Sequence, residues 1–208
     1  MATYETTQNY WKRLHRRTNY SKRNARNDRH DMMTKHILDT YGWVMGVCES
    51  FCELGMGSGR NINIFHERYP RVYYYGNDIS EKTRKVVRDL YPDMLLYADI
   101  QIQDTLSYVR ELKKKDIIFT YGHLMHLPDD IIGEVCREIG EKSQKYILLH
   151  EAYETEVKDR NYKKYRFSRD YSEIFGDRWV LTDGQIVEHH ANKGIKYKIY
   201  LFVRKGLT

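Results

Sequence analysis

One stretch limits the fold more than any other: Val47-Cys48-Glu49-Ser50-Phe51-Cys52-Glu53-Leu54-Gly55-Met56-Gly57-Ser58-Gly59-Arg60-Asn61. A β-prone run ends at Glu53-Leu54. Glycines then alternate at 55, 57 and 59, and a helical pattern opens through Asn61, Ile62, Ile64 and Phe65. The order is strand, tight turn, helix. Glycine accepts positive φ and lets a ligand approach the backbone closely. The helix that follows leaves its first N–H groups unpaired and pointed at the turn. The turn therefore reads as a small-molecule cradle. Asp78 closes the next β-prone run, Val72-Tyr73-Tyr74-Tyr75-Gly76-Asn77-Asp78. It falls about 20 residues after the turn, where an acid grips a ribose hydroxyl in dinucleotide folds.

The rest of the chain repeats the strand–helix alternation. Helices are expected over 31–41, 60–69 (stopped by Pro70), 80–91 (with Ser80 as N-cap), 103–113, 128–142 (with Pro128 at its first position) and a short one near 169–175. Strands are expected at 72–78, at 94–98 with Asp99 just beyond, at 116–120 and at 145–150. Two last strands, 178–188 and 195–203, join through Ala191-Asn192-Lys193-Gly194 as a hairpin. Asp116-Ile117-Ile118-Phe119-Thr120 is almost continuously apolar, as a doubly covered parallel strand should be. The expectation is an α/β fold: a doubly wound, Rossmann-like, mostly parallel seven-stranded sheet with a C-terminal antiparallel hairpin.

The 208 residues suit a single domain over 31–208, preceded by a basic arm or lid over 1–30. Residues 1–9 are polar and expected to fray. Residues 10–30 carry eight Lys or Arg against one Asp, interleaved with Tyr10, Trp11, Leu14 and Tyr20. Tyr10, Trp11 and Leu14 can share one helix face. No apolar run is long enough to span a membrane, and no signal pattern is present. Three cysteines, Cys48, Cys52 and Cys136, lack CxxC spacing and read as buried thiols of a cytoplasmic protein. His189-His190 alternate faces on a strand, so no metal site is expected. A net charge of +6 permits an anionic substrate or nucleic acid without requiring either.

Glu53-Leu54-Gly55-Met56-Gly57-Ser58-Gly59 resembles the first motif of class I S-adenosylmethionine (SAM)-dependent methyltransferases, acid-x-Gly-x-Gly-x-Gly. The nicotinamide pattern GxGxxG fits less well, because the third glycine comes one residue early. The resemblance covers about residues 45–203 and implies a cofactor, SAM, with S-adenosylhomocysteine (SAH) as product. It implies that Gly55, Gly57 and Gly59 pass the methionine part and that Glu53 meets its amino group or orders a water beside it. Asn61 opens the helix beneath. Asp78 would take both ribose hydroxyls, Ile79 would pack on adenine, and Asp99 would accept from the adenine amino group with Ile100 beside it. Ligands lie beyond the carboxyl ends of strands, so Thr120, Tyr121 and Gly122 would border the methyl group. His123 or His126 is then a candidate base beside Tyr121, although an aligned nucleophile can suffice.

No Asp/Asn-Pro-Pro-Tyr/Phe segment and no Pro-Cys follows the fourth strand, which argues against two DNA-methylating classes. A narrower resemblance is to small methyltransferases linked to pseudaminic acid biosynthesis. Its blocks are Phe119 to Pro128, Lys145 to Tyr153 and Arg166-Phe167-Ser168-Arg169-Asp170-Tyr171. It implies a small, sugar-like acceptor with Glu151, Tyr153, Arg166 and Arg169 as candidate contacts, and the arginine pair suits an anionic one. Tyr10 and Trp11 of the arm are further candidate substrate contacts. The alternatives are an RNA or DNA methyltransferase using the basic arm and a non-catalytic SAM-binding module.

Overall fold

The computed structural model describes residues 3–17, 27–155, 167–188 and 195–207. In chain order the elements are α1 (Tyr4–Arg17), α2 (Asp28–Tyr41), β1 (Ser50–Leu54), α3 (Arg60–Arg68), β2 (Tyr73–Asp78), α4 (Thr83–Leu90), α5 (Met94–Tyr97) and β3 (Ala98–Ile102). They continue as α6 (Thr105–Glu111), β4 (Lys115–Tyr121), α7 (Ile132–Lys142), β5 (Ser143–Thr155), β6 (Trp179–Glu188) and β7 (Ile195–Arg204). Short 3-10 turns lie at Gly42–Val47, Leu124–His126 and Gly176–Arg178.

The strands form one seven-stranded sheet in the order β3-β2-β1-β4-β5-β7-β6. β1 to β5 pair in parallel, and β7 lies antiparallel between β5 and β6. The central parallel strands are covered on both faces, and side chains alternate between the two. Phe51, Ile117, Phe119 and Leu148 meet Ile37, Tyr41, Ile62 and Phe65 on one face. Cys52, Leu54, Ile118, Ile147 and Leu149 meet Val109, Val135 and Ile139 on the other. Chain order reverses between β1 and β4, so their carboxyl ends diverge and open a crevice.

Several elements depart from the sequence expectations. Met94-Leu95-Leu96-Tyr97 is a helical turn, not a strand, because Leu95 and Leu96 face solvent while Met94 plugs the core. A four-residue apolar run cannot distinguish the two by periodicity. β3 therefore starts four residues late. Residues 169–175 form turns rather than a helix, and β5 runs on to Thr155. All three cysteines are buried. The hairpin join 191–194, Arg166 and His189-His190 lie outside the described residues. No helix among the described residues is long and apolar enough to cross a membrane.

Candidate active site

The glycine turn forms because the chain must reverse from β1 into α3 within five residues. Gly55, Gly57 and Gly59 all take positive φ, at 69°, 59° and 81°. At Gly55 a Cβ would overlap the imidazole of His123, while at Gly57 it would meet nothing within 4 Å. Asp78, at the end of β2, anchors the turn: Gly57 N donates to Oδ2 at 3.0 Å and Ser80 N to Oδ1 at 2.8 Å. Asp78 is 6% exposed, with its carboxylate held by backbone at the lip of a cavity.

That cavity, ≈ 170 Å³, sits at the carboxyl ends of β1, β2 and β4. Gly55 and Gly57 line it on one side, with Asp78 and Ile79 beside them. Asp104 and Thr105 line it beyond β3, and Tyr121, Gly122, His123 and His126 beyond β4. α1 also lines it through Tyr4, Thr7, Gln8 and Trp11. Their spacing of 3, 1 and 3 places them on a single helix face. Tyr4 hydroxyl donates to Asp104 Oδ1 at 2.5 Å, Tyr4 N donates to Asp130 Oδ2 at 3.2 Å, and the Trp11 ring packs 4.2 Å from His126. Residues 4–9 are thus part of a helix that faces the cavity rather than a frayed end. Tyr10 turns aside, edge-on to Trp11.

The late start of β3 relocates its acid. Asp99 is the second residue of the strand, exposed and accepting from Gln101 Nε2 at 2.7 Å, and Ile100 is buried opposite Gly76. Neither lines the cavity; the acid that does so beyond the carboxyl end of β3 is Asp104. It caps α6 by accepting from Ser107 N at 3.1 Å. Burial pulls its carboxyl upward, but the bonds from Tyr4 and Ser107 outweigh that and hold it below the usual range. The Asp-Thr-Leu-Ser capping pattern was the available signal.

Glu53 lies buried at the end of β1 and accepts from Asn61 Nδ2 at 2.6 Å. Burial pushes it up to about 8, against the Asn61 bond and Arg60, with Asp78 adding to the rise. Gly59, Asn61 and Thr120 are buried without lining the cavity.

Beyond β4, Gly122 turns the chain at φ 60°. Glu151 was expected at the substrate; instead it is fully buried and accepts from the backbone. His123 N and Leu124 N donate to Oε1 and Met125 N to Oε2, each at 3.0 Å. Burial pushes the Glu151 carboxyl up, and the three convergent N–H donors oppose that by favouring its carboxylate form. His123, fixed this way, hydrogen-bonds through Nε2 to Thr105 Oγ1 at 2.6 Å, and burial lowers it to about 4. It is neutral at pH 7 and a poor proton acceptor. Tyr121 stacks on His150 at 4.4 Å, lies beneath the Arg60 guanidinium at 5.2 Å and meets His30 Nδ1 at 3.2 Å. Arg169 is committed to Asp129 at 2.5 Å and packs on Phe167, while Tyr153 faces Lys198 Nζ at 5.0 Å. Neither lines the cavity. Among the described residues no group of three His, Cys, Asp or Glu is placed to hold a metal ion.

No protein-family model matches the sequence, and no curated protein matches it. Solved structures match the fold. The SAH-bound magnesium protoporphyrin IX methyltransferase of Synechocystis PCC 6803 superposes with a TM-score of 0.76 at 14% identity, over 96% of this chain and 100% of that one. The N-methyltransferase NodS of Bradyrhizobium japonicum WM9 gives 0.67 at 10% identity, over 86% and 98%. The [4+2]-cyclase SpnF gives 0.65 at 11% identity, over 84% and 80%. The chain therefore has the Rossmann-like fold of class I SAM-dependent methyltransferases.

Proposed function

We propose that the chain is a SAM-dependent methyltransferase acting on a small acceptor. The carrying observation is the cavity itself, with the positive-φ turn on one side, Asp78 and Ile79 beside it and Asp104 beyond β3. The fit to the cofactor is chemical. Gly57 leaves open space against backbone, Asp78 offers a carboxylate that would accept ribose hydroxyls, and Ile79 would be the apolar neighbour of an adenine. Asp104, in place of Asp99, would accept from an exocyclic amine. When bound, SAM supplies an electrophilic methyl on a sulfonium.

The chain's own residues align the acceptor and exclude water. Tyr121, His126 and Trp11 form the aromatic side of the cavity, where an acceptor would meet that methyl. His123 is neutral and only weakly basic near pH 7, so in this reading alignment of the acceptor carries the step without a base at His123. α1 is the lid. The cavity beneath it is smaller than the roughly 300–1,000 Å³ of typical ligand pockets, so α1 lifts to admit a cofactor and closes over it. The basic residues 18–26 that follow lie outside the described residues.

For the acceptor, an anionic sugar-like molecule stays the finer proposal. It rests on the three resembling blocks, since Arg169 is tied to Asp129 and Glu151 to the loop backbone. The fold alone does not choose chemistry, as the cyclase among its neighbours illustrates. The test is calorimetry with SAM and SAH on the full chain and on Asp78→Ala, followed by SAH release over a panel of sugar acids, neutral sugars, aromatic acids and RNA. Binding weakened by Asp78→Ala, with turnover on a small acceptor, is expected. No binding of either ligand would overturn the reading.

A further inference from the structure

The stripe of α1 that faces the cavity carries a hydroxyl that the fold leaves unused. Thr7 is 2% exposed and lines the cavity, and its Oγ1 has no hydrogen-bond partner among the described residues. A helical threonine can turn its hydroxyl back to the carbonyl four residues earlier. Thr34 and Thr40 of α2 do so, donating to His30 O at 3.0 Å and to His36 O at 2.9 Å. For Thr7 that carbonyl is taken: Thr3 O accepts from Thr7 N at 3.0 Å and from Thr6 Oγ1 at 2.9 Å. The hydroxyl is left to the cavity, where an unmade bond is less favourable than a methyl in the same place. Thr7 also stands between two fixed points. Tyr4, three residues before it, reaches Asp104, and Trp11, four residues after it, packs on His126. Asp78, Ile79 and Asp104, read above as the partners of a nucleoside, line the same cavity.

We propose, resting on the cofactor reading above, that α1 reads the ligand it covers: Thr7 Oγ1 hydrogen-bonds the nucleoside of the bound molecule, so that adenosine alone holds α1 down. A nucleoside offers ring nitrogens that accept and hydroxyls that both donate and accept, and a threonine hydroxyl can meet either. An adenine amine that takes Asp104 displaces the Tyr4 hydroxyl from it. A lid that lost this bond and gained none would lift, and Thr7 supplies the gain. The lid therefore answers to the nucleoside end of the ligand, not to its amino-acid end or to the acceptor. One substitution separates this role from packing. Thr7→Val keeps the branched shape and removes the bond. In the empty site it deletes an unpaired hydroxyl, so stability holds or rises. In the bound site it deletes a hydrogen bond, so affinity falls.

The experiment is calorimetry of the full chain, Thr7→Val and Thr7→Ser with adenosine and with SAH. Beside it run thermal unfolding of each without ligand and trypsin cleavage after Lys12 and Arg13, which are exposed on α1. Thr7→Val should keep or raise Tm and bind both ligands about fivefold more weakly, while Thr7→Ser should bind them as the parent does. Saturating adenosine should slow the cuts in the parent as much as SAH does. The proposal is overturned, and the cofactor reading left standing, if SAH binds but adenosine does not, or if only SAH slows the cuts. Unchanged affinity in Thr7→Val, weakening for SAH alone, or equal weakening in Thr7→Ser has the same consequence. So does a lower Tm or failure to fold in ligand-free Thr7→Val, since the hydroxyl would then already be paired. Failure of the parent to bind SAH overturns the cofactor reading, and the proposal with it.

Discussion

Gly55 and Gly57 share almost the same backbone conformation but not the same surroundings, so the pair separates two energies. Replacing either by alanine places a Cβ at φ near +60°, which costs about 1–2 kcal/mol. At Gly57 that is the whole cost, since nothing lies within 4 Å. At Gly55 the Cβ also overlaps the His123 ring, which cannot swing away. Its backbone N–H is held by Glu151 and its Nε2 by Thr105 Oγ1. Forcing a methyl into such packing adds about 1–3 kcal/mol. Gly55→Ala should therefore destabilise by about 3 kcal/mol and Gly57→Ala by about half that. For a chain of this length 1 kcal/mol shifts Tm by about 2–4 °C, so Gly55→Ala should melt about 6–12 °C low. The assay is thermal unfolding by circular dichroism, with Gly55→Ala/His123→Ala as a third variant. Removing the ring should recover the overlap share, giving a favourable coupling of about 1–3 kcal/mol. Equal Tm shifts for the two glycine variants, or strictly additive behaviour in the double variant, would show that His123 does not lock the turn.

The acid beyond β3 is tested by Asp104→Asn against Asp99→Asn: SAH affinity should fall about tenfold in the first, the loss of one charge-assisted bond of about 1.5 kcal/mol, and stay unchanged in the second. Glu151→Gln keeps an oxygen for two of three N–H groups but sets its amide NH2 against the third. It should destabilise by about 1.5–3 kcal/mol and lower turnover more than SAH affinity, read from kcat beside calorimetric Kd. His123 is depressed when folded, so the unfolded chain binds the extra proton between about pH 4 and 6.5. Its contribution is full above that window and falls by on the order of 3 kcal/mol as pH drops through it. Urea unfolding should show His123→Gln losing stability less steeply than the parent from pH 6.5 to 4.

Legibility followed the distance over which each feature is determined. The turn from Glu53 to Asn61, the strands 116–120 and 145–150 and the position of Asp78 could be read because strand, turn and helix follow one another within a dozen residues. Asp99 was misplaced because Met94-Leu95-Leu96-Tyr97 has the composition of a strand, and only tertiary packing makes it a helical turn with Leu96 in solvent. Asp104 then lay outside the frame, though its capping pattern with Ser107 was present. Glu151 illustrates a different limit. An acid at the end of a strand near a cavity reads as a ligand contact, yet the loop from His123 to Met125 turns its N–H groups inward and claims it. That demand arises only when the loop after β4 has folded over β5.

The cavity-facing stripe of α1 was missed for the same kind of reason, and it bears on how the site works. Tyr4, Thr7, Gln8 and Trp11 are too polar to read as a buried helix face. Thr7 is buried and the other three are half-buried, and much of what they cover is polar: Asp104, Thr105 and His126. A lid made of such contacts gains little from apolar burial, and Tyr4 donates to the same carboxylate that an adenine amine would use. Lid and ligand therefore compete for Asp104 unless α1 shifts. The exchange replaces one hydrogen bond with another of similar strength, so opening is cheap in free energy. α1 fits that role better than an apolar helix would, since burying a large apolar face would hold it shut by several kcal/mol.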